Sequence, residues 1–279
     1  MKIALVGYGK MGKMIEGIAL ERGHEISCRI DKDNLEDFDS EGFRNSDAAI
    51  EFSTPSTAMS NLKRCFAAGV PTVCGTTGWT SHLDEMREIC ESGHGTLLWS
   101  SNFSIGVNIF MAVNRYLAKI MDSFAQYTPS MTEIHHIHKL DHPSGTAITL
   151  AEQIITETGR VKGWEEPETP AENAGTNTDA ETAGSDSAAE NAGTDCTSAN
   201  EAGESVMLEI AHRREGEIPG IHTIEWDSDV DTITLTHSAK SRAGFALGAV
   251  MAAEWLSSRK GFRTMGEMLN DITKQEIFR

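Results

Sequence analysis

The chain has 279 residues, enough for one large or two ordinary domains with real cores. Its net charge of −18 excludes a nucleic-acid binder, which needs a basic face, and no apolar run approaches the length of a membrane span. Five cysteines without framework spacing (Cys28, Cys65, Cys74, Cys90, Cys196) and an amino-terminal apolar run too short for a signal h-region point to a reduced, cytoplasmic setting.

Lys2-Ile3-Ala4-Leu5-Val6 has the pattern of a buried strand. It is followed by Gly7-Tyr8-Gly9-Lys10-Met11-Gly12 and then a helical stretch through Ile15, Ile18 and Ala19. Strand, G-x-G-x-x-G and helix in this order form a dinucleotide-binding fingerprint, although a glycine turn in another α/β protein gives the same signal. The next strand, Glu25 to Ile30, ends at Asp31, nineteen residues beyond Gly12, where a carboxylate accepts from a ribose hydroxyl. That carboxylate repels a 2′-phosphate and favours NADH, with NADPH tolerated because Arg29 and Lys32 are near enough to turn toward a phosphate.

A strand over Ala48 to Ser53 leads through Thr54-Pro55-Ser56 into a helix containing Met59, Leu62 and Cys65. The strand Pro71 to Cys74 ends in Gly75-Thr76-Thr77-Gly78-Trp79. A helix from Leu83 to Ile89, the strand Thr96 to Trp99 and the loop Ser100-Ser101-Asn102-Phe103 follow. Each loop taken singly is turn chemistry. Together they repeat the strand and helix alternation of a Rossmann domain, with small polar residues at the carboxyl edge of the sheet, where nucleotides bind.

Beyond a helix at Met111 to Met121, a strand pattern from Gln126 to Leu140 contains Glu133-Ile-His-His-Ile-His-Lys-Leu-Asp-His-Pro-Ser-Gly-Thr146. Alternation places His136 and His138 on one face, with His135 and Lys139 on or near the other. Pro143 to Thr146 opens a helix reaching Glu157 with Ser144 as N-cap. Gly145 and Thr146 in its first turn offer free N–H groups and the positive end of the helix dipole, which suits a carboxylate or phosphate. Three readings of the cluster are open: a solvated turn, a zinc site, or a general-acid site for an anionic substrate. A lysine inside the cluster, the absence of a nearby cysteine and the lack of metal-motif spacing all count against zinc, so no metal is expected.

From 165 to 204 the chain carries eleven Asp or Glu and no Lys or Arg, which accounts for −11 of the net −18. The segment has no aromatic residue and no aliphatic one larger than alanine, and it repeats Ala-Glu-Asn-Ala-Gly-Thr at 171–176 and 189–194. It is expected to be a disordered, low-complexity acidic insertion dispensable for turnover. Strand patterns at Val206 to Arg213, His222 to Trp226 and Thr232 to His237, and a helix from Ala243 to Leu256, complete the chain.

Several of these stretches resemble the 4-hydroxy-tetrahydrodipicolinate reductase family, also called dihydrodipicolinate reductases. They are Gly-Tyr-Gly-Lys-Met-Gly at 7–12, Gly-Thr-Thr-Gly-Trp at 75–79, Ser-Asn-Phe-Ser-Ile-Gly-Val-Asn at 101–108 and the His-His-Ile-His-Lys-Leu-Asp-His-Pro-Ser-Gly-Thr-Ala run at 135–147. Near the end come Arg-Glu-Gly-Glu-Ile-Pro-Gly-Ile-His at 214–222 and His-Ser-Ala-Lys-Ser-Arg-Ala-Gly-Phe-Ala-Leu-Gly-Ala at 237–249. The glycine loop is one residue shorter than the family's commoner form, and the acidic insertion has no counterpart.

The resemblance implies an α/β fold with a Rossmann dinucleotide-binding domain (1–103 and 243–279) and an α+β substrate-binding and tetramerisation domain with a mixed sheet (104–242). It implies NAD(P)H-dependent reduction of a small cyclic dicarboxylate in the diaminopimelate route to lysine, by a homotetramer. His135 would be the main proton donor and Lys139 a second one. His136, Gly145 and Thr146 would bind substrate; Gly7 to Gly12, Asp31, Gly75 to Thr77 and Ser100 to Phe103 would hold the cofactor. The alternatives are another NAD(P)-dependent dehydrogenase of a diaminopimelate-like or aspartate-derived acid, and a catalytically silent nucleotide-binding regulator.

Overall fold

The computed structural model describes residues 1–167 and 206–278. In chain order the elements are β1 (Lys2–Val6), α1 (Lys10–Glu21), β2 (Glu25–Ile30), α2 (Glu41–Arg44), β3 (Ala48–Glu51), α3 (Pro55–Ala67), β4 (Thr72–Cys74), α4 (Leu83–Glu91), β5 (Thr96–Trp99) and α5 (Ile105–Met121). There follow β6 (Thr128–His135), α6 (Gly145–Glu157), β7 (Val161–Glu165), β8 (Val206–Arg214), β9 (Ile221–Asp227), β10 (Thr232–Ser238), α7 (Ala243–Leu256), β11 (Gly261–Arg263) and α8 (Met265–Thr273). They divide into two units, Met1–Tyr116 with Thr236–Arg279, and Leu117–Leu235. The division falls inside α5 and β10, while the expected boundaries at 103 and 242 lie in the loops just before α5 and α7.

The first unit is built on a parallel sheet in the order β11-β5-β4-β3-β1-β2. Its strands are nearly continuous apolar runs because helices cover both faces; Ile3, Ala4, Leu5 and Val6 of β1 are all buried. One core layer joins Ile3, Leu5 and Ile50 to Ile15 and Ala19 of α1 and to Ala246, Ala249, Val250 and Ala253 of α7. The other packs Val6, Phe38, Phe43, Leu62, Phe66 and Met86. Because β2 lies on one side of β1 and β3 on the other, the order reverses between β1 and β3. A crevice opens there at the carboxyl ends of the strands. Cys65, Cys74 and Cys90 are buried free thiols, and burial pushes the Cys65 thiol up to about 12.

The second unit carries a mixed sheet, β10-β9-β6-β8-β7, with β6 parallel to β8 and antiparallel to β9. Alternation along β6 buries Pro129, Met131, Glu133 and His135 on one face. α6 buries Ala147, Leu150, Ala151 and Ile154 at helical spacing. The strand expected to continue to Leu140 stops at His135. The chain turns there, with Ile137 N–H donating to Gly216 O (3.1 Å) and Lys139 N–H to His136 O (3.1 Å). Among the described residues no helix is long and apolar enough to cross a membrane.

Of the acidic segment 165–204, Glu165 closes β7 and Glu166 meets two histidines; residues 168–204 lie outside the described residues. β7 and β8 are parallel, with Val161 opposite Val206 and Glu165 opposite Glu209, so their connection must return the length of a strand. Excising 168–200 and inserting about eight Gly/Ser residues preserves that return and should leave turnover within about twofold, since loop-closure entropy grows slowly with length. Steady-state kinetics and a melting curve on the deletion variant check this. A folded variant with a large loss of turnover would contradict it.

Candidate functional site

In the first unit, Gly7 follows β1 at φ +91°, and a Cβ there would lie 2.2 Å from Phe52 O, so only glycine lets the turn pass β3 this closely. A Cβ at Gly12 would meet Gly7 O at 2.3 Å. Gly9, by contrast, has nothing within 4 Å of its Cβ position. It is the N-cap of α1, and no side chain caps that helix start. The free N–H groups of α1 therefore face open space, an arrangement suited to a pyrophosphate.

Around this point lies a cleft of about 390 Å³, lined among others by Gly7, Tyr8, Gly9, Asp31, Lys32 and Ser53. The Asp31 carboxylate lines this cleft and accepts from Lys32 N–H (3.0 Å). Arg29 is committed: its guanidinium holds Glu16, which also accepts from the Tyr8 hydroxyl. Lys10, Met11 and Gly12 form the first turn of α1 and do not line the cleft.

Gly75, Thr76 and Thr77 follow β4, and Ser100 to Phe103 follow β5, at the same sheet edge. Thr76 Oγ1 accepts from Ser53 N–H (2.8 Å), tying the β4 loop to the end of β3. Ser100 Oγ and Asn102 bond each other (Ser100 O–H to Asn102 O, 2.9 Å; Asn102 N–H to Ser100 Oγ, 3.1 Å), with Asn108 Nδ2 donating to Asn102 O. Ser101 at the head of this turn is exposed. The Phe103 side chain is core, 5.8 Å from the Phe52 ring, which leaves only its backbone for a ligand.

In the second unit the register of the sheet assembles a buried charge cluster. Antiparallel pairing sets His222 opposite Glu133, and parallel pairing sets Arg214 opposite His135. Glu133 is 0% exposed. Its carboxylate accepts from Ser144 N–H (3.1 and 3.2 Å) and Arg214 Nη2 (3.3 Å), with His135 Nδ1 at 3.6 Å and His222 Nε2 at 3.7 Å. Burial pushes this carboxyl up, but the hydroxyl and N–H of Ser144 and the two imidazoles outweigh burial and hold it below the usual range.

His135 is 7% exposed, and its Nδ1 has no hydrogen-bond partner. Burial lowers its pKa most; Glu133 opposes this, Lys139 and Arg214 add to it, and the net value lies below 6.5. Gly220, at φ +154°, makes room for the ring: a Cβ there would sit 3.0 Å from His135 Nε2.

Ser144 caps α6 as expected, its Oγ accepting from Ala147 N–H (3.2 Å) and lying 3.1 Å from His222 Nε2. The N–H groups of Gly145 and Thr146 remain for an anion, and nothing lies within 4 Å of the Gly145 Cβ position. Lys139 grips both oxygens of Asp141 (2.7 and 2.6 Å), while Arg214 donates to the carbonyls of Lys139 (3.1 Å) and Asp141 (2.7 Å). His136 is half-buried, its ring 6.0 Å from that of His138. One carboxylate thus ties the candidate acid, the start of the anion cradle and the arginine that shapes the lysine turn.

Models of the dihydrodipicolinate reductase N-terminus and C-terminus match residues 1–103 and 106–269. The chain belongs to the dihydrodipicolinate reductase family. It is 40% identical to a 4-hydroxy-tetrahydrodipicolinate reductase of Christiangramia forsetii, over 98% of this chain and 100% of that protein. A reductase of the same name from Archaeoglobus fulgidus is 31% identical over 96% of this chain and 100% of its own length. A solved structure described as a dipicolinate-bound dihydrodipicolinate reductase from Paenisporosarcina shares the fold at a TM-score of 0.64 and 20% identity, covering 95% of this chain and 97% of that one.

In this member of the family, sequence reasoning named His135 but gave no role to Glu133, Arg214 or His222. Glu133 carried one usable signal: period-two alternation puts it on the face of Met131 and His135, where a carboxylate needs partners. Arg214 and His222 arrive through strand pairing, which no local pattern encodes. Replacing Glu133 by Ala strands buried charge and should destabilise the protein by about 3–5 kcal/mol. In the native chain Glu133 and His135 both titrate below their unfolded values of about 4.3 and 6.5. Their contribution is therefore present above those values and lost as pH falls through the folded ones. Melting curves from pH 7 to 4 should show Tm falling in the native chain and falling more steeply in Glu133→Ala, where the His135 pKa drops further without the Glu133 charge.

Proposed function

We propose that the chain catalyses the NAD(P)H-dependent reduction of 4-hydroxy-tetrahydrodipicolinate to tetrahydrodipicolinate, on the diaminopimelate route to lysine. The carrying observation is the anion cradle of Gly145 and Thr146, joined through Ser144 and Glu133 to the buried His135, in a chain of this family. The substrate is a cyclic imine with two carboxylates and a 4-hydroxyl. Loss of water conjugates the ring; a hydride added at ring C4 drives electrons toward the ring nitrogen, and a proton must then reach the enamine carbon.

The cofactor supplies that hydride. The open Gly9 position and the uncapped α1 fit its pyrophosphate, Asp31 its ribose, and the loops 75–77 and 100–103 complete the same sheet edge. With Arg29 held by Glu16, Lys32 is the cation left near Asp31, which supports NADH with NADPH tolerated. Asp31→Ser removes the carboxylate that repels a 2′-phosphate and should shift the NADPH to NADH ratio of kcat/KM upward by about tenfold, roughly 1.4 kcal/mol. An unchanged ratio would move cofactor choice away from Asp31.

The residues of the second unit bind and protonate. Gly145 and Thr146 N–H groups hold a substrate carboxylate, and His136 contacts the ring. Lys139, kept in place by Asp141, balances the dianion and is a second acid. His135 delivers the proton, with Glu133 stabilising the imidazolium that does so. A homotetrameric, cytoplasmic enzyme is part of the same reading, and sedimentation of the full chain tests the assembly.

NADH oxidation with substrate generated from pyruvate and aspartate semialdehyde by the preceding synthase tests the function. We expect His135→Gln to lower kcat by about 10²–10³. Because burial lowers the His135 pKa, the protonated acid is lost as pH rises through that lowered pKa, so kcat/KM should fall on the alkaline side. A bound dianion raises the His135 pKa, so the limb in kcat should lie at higher pH. Absence of wild-type turnover despite NADH binding would overturn the function, and an unchanged alkaline limb in His135→Gln would overturn the acid assignment.

A further inference from the structure

We infer that His142, Glu166 and His212 form a binding site for a divalent transition metal of the zinc class, distinct from the Glu133, His135 and His222 cluster. His142 belongs to the loop before α6, Glu166 follows β7, and His212 lies in β8. Their donor atoms converge on one point. His142 Nδ1 is 2.7 Å and His212 Nδ1 3.0 Å from the same oxygen, Glu166 Oε2, and all three donors lie within 4.8 Å of one another. The two imidazoles are stacked, with centroids 4.2 Å apart and planes at 17°, so the half-exposed His142 ring has to turn for both Nδ1 lone pairs to meet one ion.

The chemistry of this donor set favours a cation over hydrogen bonding alone. Glu166 Oε2 bonds His142 in line, but the buried Nδ1 of His212 makes no hydrogen bond although the oxygen is only 3.0 Å away. An N–H of a hydrogen-bonded triad would point at that oxygen; a lone pair aimed at a third centre would not. Zinc–ligand bonds of about 2.0–2.1 Å in a tetrahedron separate ligand atoms by about 3.3 Å, so the 2.7 and 3.0 Å contacts open by about 0.6 and 0.3 Å when an ion enters. Two imidazoles and a carboxylate are a three-ligand zinc set that leaves the fourth position to water. The His142 side chain is 49% exposed, which gives an ion a route in.

Position gives the ion a consequence. His142 is two residues before Ser144, the cap of the anion cradle, while His212 is fixed in the sheet opposite Glu133. A metal here would pin the loop that delivers the cradle to β7 and β8. The spacing 142, 166, 212 matches no sequence motif, and the sequence argument against zinc weighed only the histidines from 135 to 142, with a lysine among them and no cysteine nearby.

The test uses the untagged full chain, stripped with chelator and dialysed against Zn²⁺ or Co²⁺. We expect one ion per chain, the visible absorption of tetrahedral cobalt, and a Tm that rises with metal. His142→Ala and His212→Ala should each weaken Zn²⁺ binding by about 100-fold and abolish the cobalt band. Glu166→Gln, which keeps the shape but removes the charge, should weaken it as well, while His222→Asn should retain it. Circular dichroism in chelator shows whether each variant still folds. No stoichiometric binding to the wild type would identify the three side chains as an ion-paired triad only and overturn the proposal. So would binding that survives in His142→Ala and His212→Ala, or that is lost only in His222→Asn. None of these readouts depends on reductase activity.

Discussion

A single buried carboxylate organises the second unit of this protein. Glu133 has no contact with solvent, so its charge has to be met inside the fold. Ser144 N–H, Arg214, His135 and His222 meet it from the start of α6, from β8, from β6 itself and from β9. Those four elements can satisfy it only in one register, since a one-residue slip of β6 would turn Glu133 to the opposite face. The constraint that fixes the sheet thus also sets the candidate acid and the anion cradle side by side.

In the proposed function the two units bind anions by similar means. In each, a helix start is stripped of whatever would otherwise occupy its N–H groups. Gly9 offers no side chain at the start of α1, and Ser144 takes only the Ala147 N–H at the start of α6, leaving Gly145 and Thr146. Backbone donors on a helix are rigid and need no reorganisation when an anion arrives, so the sites are shaped before ligand enters.

Much of this was legible locally. Strand, glycine loop and helix at the amino terminus, β2 from Glu25 to Ile30, and α6 with its Ser144 cap follow from periodicity and cap chemistry, and each forms as read. What was missed is non-local or short. β11 is a three-residue strand with no period to detect, visible only in its pairing with β5. β7 ends in Glu165, which composition alone assigned to the acidic segment, because charge counts do not register strand pairing with β8. Phe103, which the family resemblance placed at the cofactor, packs its ring against Phe52 in the core, which leaves its backbone for that role. Arg214, His222 and the Glu166 pairings depend on strands meeting far along the chain, and a sequence pattern holds no record of that meeting.

The most direct measurement is NMR titration of the histidine side chains in the native chain and in Glu133→Gln, together with kcat for both. The amide keeps an acceptor for Ser144 N–H and removes only the charge. We expect His135 in the native chain to titrate below 6.5, to fall further in Glu133→Gln because the Glu133 charge supports the imidazolium, and kcat to fall with it. An unshifted His135 together with full turnover in Glu133→Gln would show that the buried carboxylate does not govern the site.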